Sequence, residues 1–188
     1  MSAWPVTVYP KQVKIGSLAP GYFSLAPDGH QQSRSRGAHF WLITLTYPPR
    51  LRADLDPIFA FANSLLGRQN TCTVVPGYYS KSARGTASGS PTGAGSAGAS
   101  SVTVSGLSGT LLAGDFVKFN SHSKVYQVTA DRSGNGAMSI APNLIADASG
   151  AITFDDVPFT CRLISELAEL DSNLADIYGA TFKLMEAY

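Results

Sequence analysis

The sequence predicts a mainly β protein: a β-sandwich domain with one short helix, and a small antiparallel β-barrel or sandwich module inserted into it. Three observations carry this reading. β-Branched and aromatic residues crowd Ala38 to Tyr47, the composition of a half-buried pleated strand. Clean helical periodicity is confined to a short segment, Pro57 to Leu66. Beyond a Gly/Ser/Ala-rich stretch, brief apolar runs separated by turn residues recur at close spacing, as in small all-β units.

Taken in chain order, Val6 to Tyr9 and Gly21 to Leu25 read as short strands, and Ala26 to Gly37 as a polar loop carrying Arg34 and Arg36. The run from Ala38 to Tyr47 is a central strand, stopped by Pro48-Pro49, which lack the amide hydrogens of a ladder. In the helix, Ile58, Phe61, Ala62 and Leu65 form one apolar stripe. Asp56 is placed as the N-cap, Pro57 as the first helical residue and Gly67 as the left-handed stop. Thr71 to Val75 returns as a strand.

Arg84 to Ser101 is Gly, Ser, Ala, Thr and Pro with no residue able to build a core, and reads as a flexible linker over 84–100. Strands then follow at Ser101–Ser105, Asp115–Phe119, Lys124–Thr129, Ala137–Ala141 and Ala151–Phe154, separated by turns such as Asp131-Arg132-Ser133-Gly134-Asn135-Gly136. Pro158 to Ile164 and Gly179 to Glu186 complete the strands. Between them, Leu167, Leu170, Leu174 and Ile177 have helical spacing, but Asp171-Ser172-Asn173 is a turn signal, and a loop or distorted strand is favoured. The last strands return to the first sheet. The expected organisation is therefore 1–83 plus 156–188 as the sheet domain, 84–100 as linker and 101–155 as an inserted module.

Composition narrows function. The 188 residues are enough to bury roughly 70% of the unfolded surface without staples. Only 14% of residues are charged, against about 25% in ordinary proteins, so much of the surface is uncharged and suits contact with other proteins. With a net charge of +1 there is no field to draw in nucleic acid or an anionic membrane. The N-terminal residues lack a secretory pattern, which predicts folding in the cytoplasm, and no apolar run approaches the ~20 residues that span a bilayer. Cys72 and Cys161 have no metal-ligand spacing and read as buried, reduced thiols that neighbouring strands could bring together.

Reactive constellations are weak. A Ser/His/Asp set would have to use Ser108, His122 or Asp131, but no Gly-x-Ser-x-Gly elbow exists, and a tight turn explains Gly106-Leu107-Ser108-Gly109. Asp147 with Asp155-Asp156 lacks the spaced oxygens of a calcium loop. Gly93 to Gly98 neither follows a strand nor opens a helix, as a phosphate-binding run must. No catalytic, metal or cofactor residue is assigned, and the chain is expected not to be an enzyme. The candidate interface residues are Arg34, Arg36, Arg50 and Arg52, read as a cluster near one end of the sheet, together with His122 and Lys124 in a hairpin turn.

The runs Leu112-Ala113-Gly114-Asp115-Phe116-Val117-Lys118-Phe119 and His122 to Asp131, with Met138 to Leu144 and Phe182 to Ala187, resemble tail-tip proteins of long-tailed, siphovirus-like phages. The nearest analogy is to distal tail or baseplate-type structural proteins. The resemblance is firmest after the Gly-rich stretch; before it, Phe40 to Tyr47 followed by a short helix resembles their ring-forming domain. It implies a virion ring subunit, commonly hexameric, that joins tail tube to tip and hub, with the tape-measure protein a further neighbour. It supplies no catalytic residues. The alternative is a carbohydrate- or receptor-binding β module that uses Phe116, Phe119 and Tyr126 of the insert.

Overall fold

A computed structural model describes residues 2–77, 80, 83–164, 171–172 and 177–188. Among these the protein is mainly β. The chain runs β1 (Ser2–Ala3), β2 (Gln12–Leu18), β3 (Gly21–Leu25), β4 (Gln31–Ser35), β5 (Phe40–Leu51), α1 (Arg52–Ser64) and β6 (Cys72–Val74). It continues through β7 (Ser88–Gly95), β8 (Ser101–Ser108), β9 (Thr110–Leu111), β10 (Phe116–Phe119), β11 (Val125–Val128), β12 (Arg132–Ser133), β13 (Gly136–Ala141) and β14 (Ala148–Thr153). β15 (Phe159–Leu163), β16 (Asp171–Ser172) and β17 (Ile177–Glu186) follow.

One sheet has the order β1-β6-β15-β17-β5-β2, with β16 added to β17. Its centre is the antiparallel pair β5 and β17, in register at Ile43/Leu184, Leu45/Phe182 and Tyr47/Ala180. Alternation does the sorting: Trp41, Ile43, Leu45 and Tyr47 turn to the core from β5, and Ala180, Phe182 and Leu184 from β17. The sheet curls until Val13 of β2 lies beside Gly77, just past β6. The core inside this curl is closed by α1, which contributes Leu55, Ile58 and Ala62, with Leu65 at its C-cap. Trp4 sits at its centre, edge-on to Phe61 and Phe182 at ring separations of 5.5 and 5.2 Å, its indole N–H donating to the Tyr47 hydroxyl at 2.9 Å.

The inserted unit is a closed antiparallel barrel, β10-β11-β13-β8-β7-β14, with β9 and β12 paired as a separate ribbon. Val102, Val104, Val117, Phe119, Tyr126, Val128, Met138, Ile140 and Ile152 fill it. Closure leaves the six barrel strands without a free edge.

Five local expectations are corrected. Residues 84–100 are not a flexible linker. Ser88–Gly95 is a barrel strand paired with β8 and β14. The Arg84 backbone N–H and Nε both reach the Asp115 carboxylate, and the Ala97 N–H donates to Asp147 at 2.8 Å. The barrel therefore begins before Ser101. β7 lacks large side chains because its neighbours fill the space: a Cβ on Gly93 would lie 2.7 Å from the Phe119 ring, and one on Gly95 would lie 2.9 Å from Leu144. Gly93→Val is accordingly expected to overpack the barrel by about 1–3 kcal/mol, lowering the melting temperature by about 2–12 °C in a thermal scan.

The helix starts at Arg52, not Pro57, and Leu51 caps it without a side-chain hydrogen bond. Leu55 extends the buried stripe one turn back, and Arg52 pairs with Asp56 at 2.9 Å, so Asp56 is an (i, i+4) partner and Pro57 lies inside the helix. β5 does not end at the prolines. It runs to Leu51, with Pro48 and Pro49 placed at a register shift opposite Gly179 and beyond the last residue paired with β2, so their missing N–H groups break no ladder there. Val6 to Tyr9 is not a strand; β2 begins at Gln12. The polar loop contains β4, Gln31–Ser35. Of the ambiguous stretch 165–178, most lies outside the described residues, and Asp171–Ser172 pairs with β17.

Candidate functional site

Two features rise above ordinary packing: a hairpin that belongs to neither main unit, and a buried polar node that joins those units.

The hairpin is β3 and β4, paired only with each other among the described residues. Asp28 accepts the His30 N–H, Gly29 takes φ 84° and Ala26 donates to the His30 carbonyl at 2.9 Å, which forms the turn; at the base the Arg36 N–H donates to Pro20 at 3.1 Å. Strand alternation splits its side chains between two faces. Phe23 and Leu25, 74% and 73% exposed, share one face with Ser33 and Gln31. Tyr22, 60% exposed, lies on the other, opposite Arg34, with the Arg36 guanidinium 5.0 Å from its ring centre. The adjacent strand β2 pairs only with β5, so its outer edge is open among the described residues.

The node lies where the barrel meets the sheet. Phe116 and Val125 point out of the barrel into the sheet's core, Phe116 edge-on to Trp41 and Phe159 at 5.1 and 5.4 Å. The Trp41 indole N–H donates to the Val125 carbonyl at 2.8 Å. Beside this seam Lys124 and Glu186 form an ion pair with both side chains 0% exposed. The Lys124 ammonium also donates to the His39 carbonyl at 2.8 Å and to His39 Nδ1 at 3.1 Å, and it lies 4.6 Å from the centre of the Tyr188 ring. The Glu186 carboxylate accepts the Val125 N–H at 2.8 Å and the Trp41 N–H at 3.3 Å. Three acceptors surround the ammonium and three donors the carboxylate, so both charges are satisfied without water. Burial raises the Glu186 carboxyl and lowers the Lys124 ammonium from their ordinary values, each opposed by the partner's charge. Burial, then Lys124, holds His39 down to about 4. Neutral His39 accepts from Lys124 at Nδ1, so its proton is on Nε2, facing the Ser17 hydroxyl at 2.9 Å.

The six predicted interface residues divide unequally. Arg34 and Arg36 come together around Tyr22. Arg50 and Arg52 lie at the far end of β5, roughly 30 Å away at ~3.3 Å per strand residue, so the four arginines are two pairs and not one cluster. His122 faces inward, its Nε2 2.8 Å from the Tyr126 hydroxyl and its pKa lowered by burial and then by Lys118. Lys124 is not a contact for another protein; its charge is consumed inside the fold. Sequence reasoning missed Glu186, although one signal marks it: it falls on the same alternating face as Phe182 and Leu184.

The reactive candidates stay apart. Asp131 accepts the Ala113 N–H, Asp155 the Ala83 N–H and Asp147 the Ala97 N–H, each tying its own loop to a different segment. Among the described residues no three His, Cys, Asp or Glu side chains gather as a metal site. Phe116, Phe119 and Tyr126 are buried and offer no platform to a sugar. Cys72 and Cys161 are free thiols directly opposed on β6 and β15. Burial pushes Cys72 to about 11, and burial together with Cys72 holds Cys161 well above its ordinary value, so neither is an activated nucleophile. No described helix is long and apolar enough to cross a membrane.

The fold and site together define a two-unit β protein with an apolar arm and a locked junction. Comparison with protein-family models and with curated proteins finds no match.

Proposed function

We propose that this chain is a structural subunit of a phage tail, assembling copy upon copy into a ring, of six by the resemblance, at the distal end. There it joins the tail tube to the tip and hub. The supporting observation is the β3–β4 hairpin. A two-stranded ribbon is marginal on its own, and this one places Tyr22, Phe23 and Leu25 in solvent with neither main unit to cover them. A neighbouring copy covers them. Because the covering face differs from the arm, the contact is head-to-tail, and such a contact closes into a ring when its rotation allows. The open edge of β2 and the scarcity of charge suit the same packing.

The test is assembly of purified chain, alone and with its tube and hub neighbours, followed by light scattering and negative-stain electron microscopy. Rings are expected. Burying one Phe or Leu side chain contributes about 1.5–3 kcal/mol, so Phe23→Ser with Leu25→Ser should weaken each contact by more than about a hundredfold. The variant should leave the monomer's melting temperature nearly unchanged. Wild-type protein that stays monomeric at high concentration with every neighbour present would refute the assignment.

A further inference from the structure

We propose that the junction of barrel and sheet is an acid-sensitive latch, in which protonation of His39 releases Lys124 and frees the barrel while each unit remains folded. The geometry carries this. Besides the Trp41–Val125 and Val125–Glu186 bonds, the side-chain contacts at this node converge on one lysine, and that lysine uses the unprotonated nitrogen of a histidine as an acceptor. The histidine is reachable: His39 lines an open cleft of about 860 Å³ with Arg36, Asn143, Ile145 and Tyr188, so a proton can arrive from solvent without the fold opening. Once Nδ1 is protonated it cannot accept, and an imidazolium faces an ammonium with a single carboxylate between them.

The charged and titratable groups around His39 come from each element packed on it. Lys124 comes from the β10–β11 turn, Glu186 from β17, Tyr188 from the residues after β17, and Arg36 from the hairpin base. Ser17 of β2 and the Trp41 ring are neutral neighbours. Within the barrel, His122 bonds Tyr126 and Ser121, and Lys118 acts on Glu186 at longer range.

The sign is fixed by linkage. His39 titrates near 4 in the latched form and near its ordinary 6.5 when released, so the released form binds the proton more tightly. Latching is complete above pH 6.5 and is lost as pH falls towards 4, by up to about tenfold in the released population per pH unit. Partial exposure of His39 lowers that slope. Glu186, whose carboxyl is raised, acts in the opposite sense and cannot produce the loss. Burial lowers Lys124 from its ordinary 10.5, and the Glu186 charge opposes that shift.

The experiment is amide hydrogen exchange on the full chain between pH 7 and 3.5, corrected for intrinsic rates. The reporter is the Val125 amide, which donates to Glu186 across the seam, and the Ile140 amide, which donates to Ser100 inside the barrel, is the internal control. Protection of Val125 should fall across that window and level near pH 4, with Ile140 unchanged. His39→Gln keeps an acceptor that cannot be protonated and should give a flat profile. Equal slopes in both proteins, a flat wild-type profile, or Ile140 falling in step with Val125 would each overturn the latch. Should the variant not fold, an NMR titration of wild-type imidazoles decides the matter. The Trp41 indole signal must move with His39, and a His39 titrating near its ordinary value without a Trp41 response sinks the proposal.

Discussion

Glu186→Ala is expected to destabilise the protein by about 3–5 kcal/mol, lowering the melting temperature by about 6–20 °C, because it leaves a fully buried charge without its counter-charge. Lys124 is completely buried, and its carboxylate partner is the only acidic group among its contacts with the described residues. The same truncation removes the acceptor of the Val125 and Trp41 amides, so two backbone donors lose their partner along with the ammonium. Lys124→Met combined with Glu186→Gln removes both charges and keeps an acceptor for one of those amides. The double variant should therefore be more stable than Glu186→Ala. Denaturant unfolding of the set measures this, and a loss below about 1 kcal/mol for Glu186→Ala would show the pair to be incidental.

Trp4→Ala is expected to lose about 3–5 kcal/mol, in the range for deleting a buried aromatic side chain. Trp4 precedes every long strand, yet it holds the centre of the sheet domain's core. Its ring meets Phe61 of the helix and Phe182 of β17, and its backbone N–H donates to Thr73 of β6 at 2.8 Å. Trp4→Phe keeps most of the apolar contact but removes the donor to Tyr47, so about 1–2 kcal/mol should be lost through the missing hydrogen bond and the smaller ring. Equal losses in the two variants, read from denaturant midpoints, would mean that the hydrogen bond and not the packing dominates.

Legibility in the sequence followed the reach of each cause. β5, β10, β11, β13, β15 and β17 were readable because their own residues alternate or crowd as buried strands do. β2 and β4 were not, since an edge strand and a free hairpin bury little: Gln31-Gln32-Ser33-Arg34-Ser35 is exposed throughout and has no apolar period to detect. β7 was hidden by a different cause. Gly93 and Gly95 are selected by Phe119 of β10 and Leu144 of the β13–β14 loop pressing on them from far along the chain, and composition alone makes such a run look like a tether. At the candidate site, Arg34 and Arg36 come together at Tyr22 because they stand two residues apart, on one face of β4 and its exit. Glu186 stands 62 residues from Lys124, and no local spacing links them.

By itself the sequence determined the mainly β class, the insertion of a small strand-rich unit within a larger one, and a surface poor in charge. These are set by local alternation, turn residues and composition, which act over a few residues. Only the tertiary structure decided that the glycine-rich run is a barrel strand, that the hairpin stands uncovered, and that Lys124 faces Glu186 and not a partner protein. Each of those depends on which surfaces remain after the chain has closed on itself, and pairing between distant segments is what settles that.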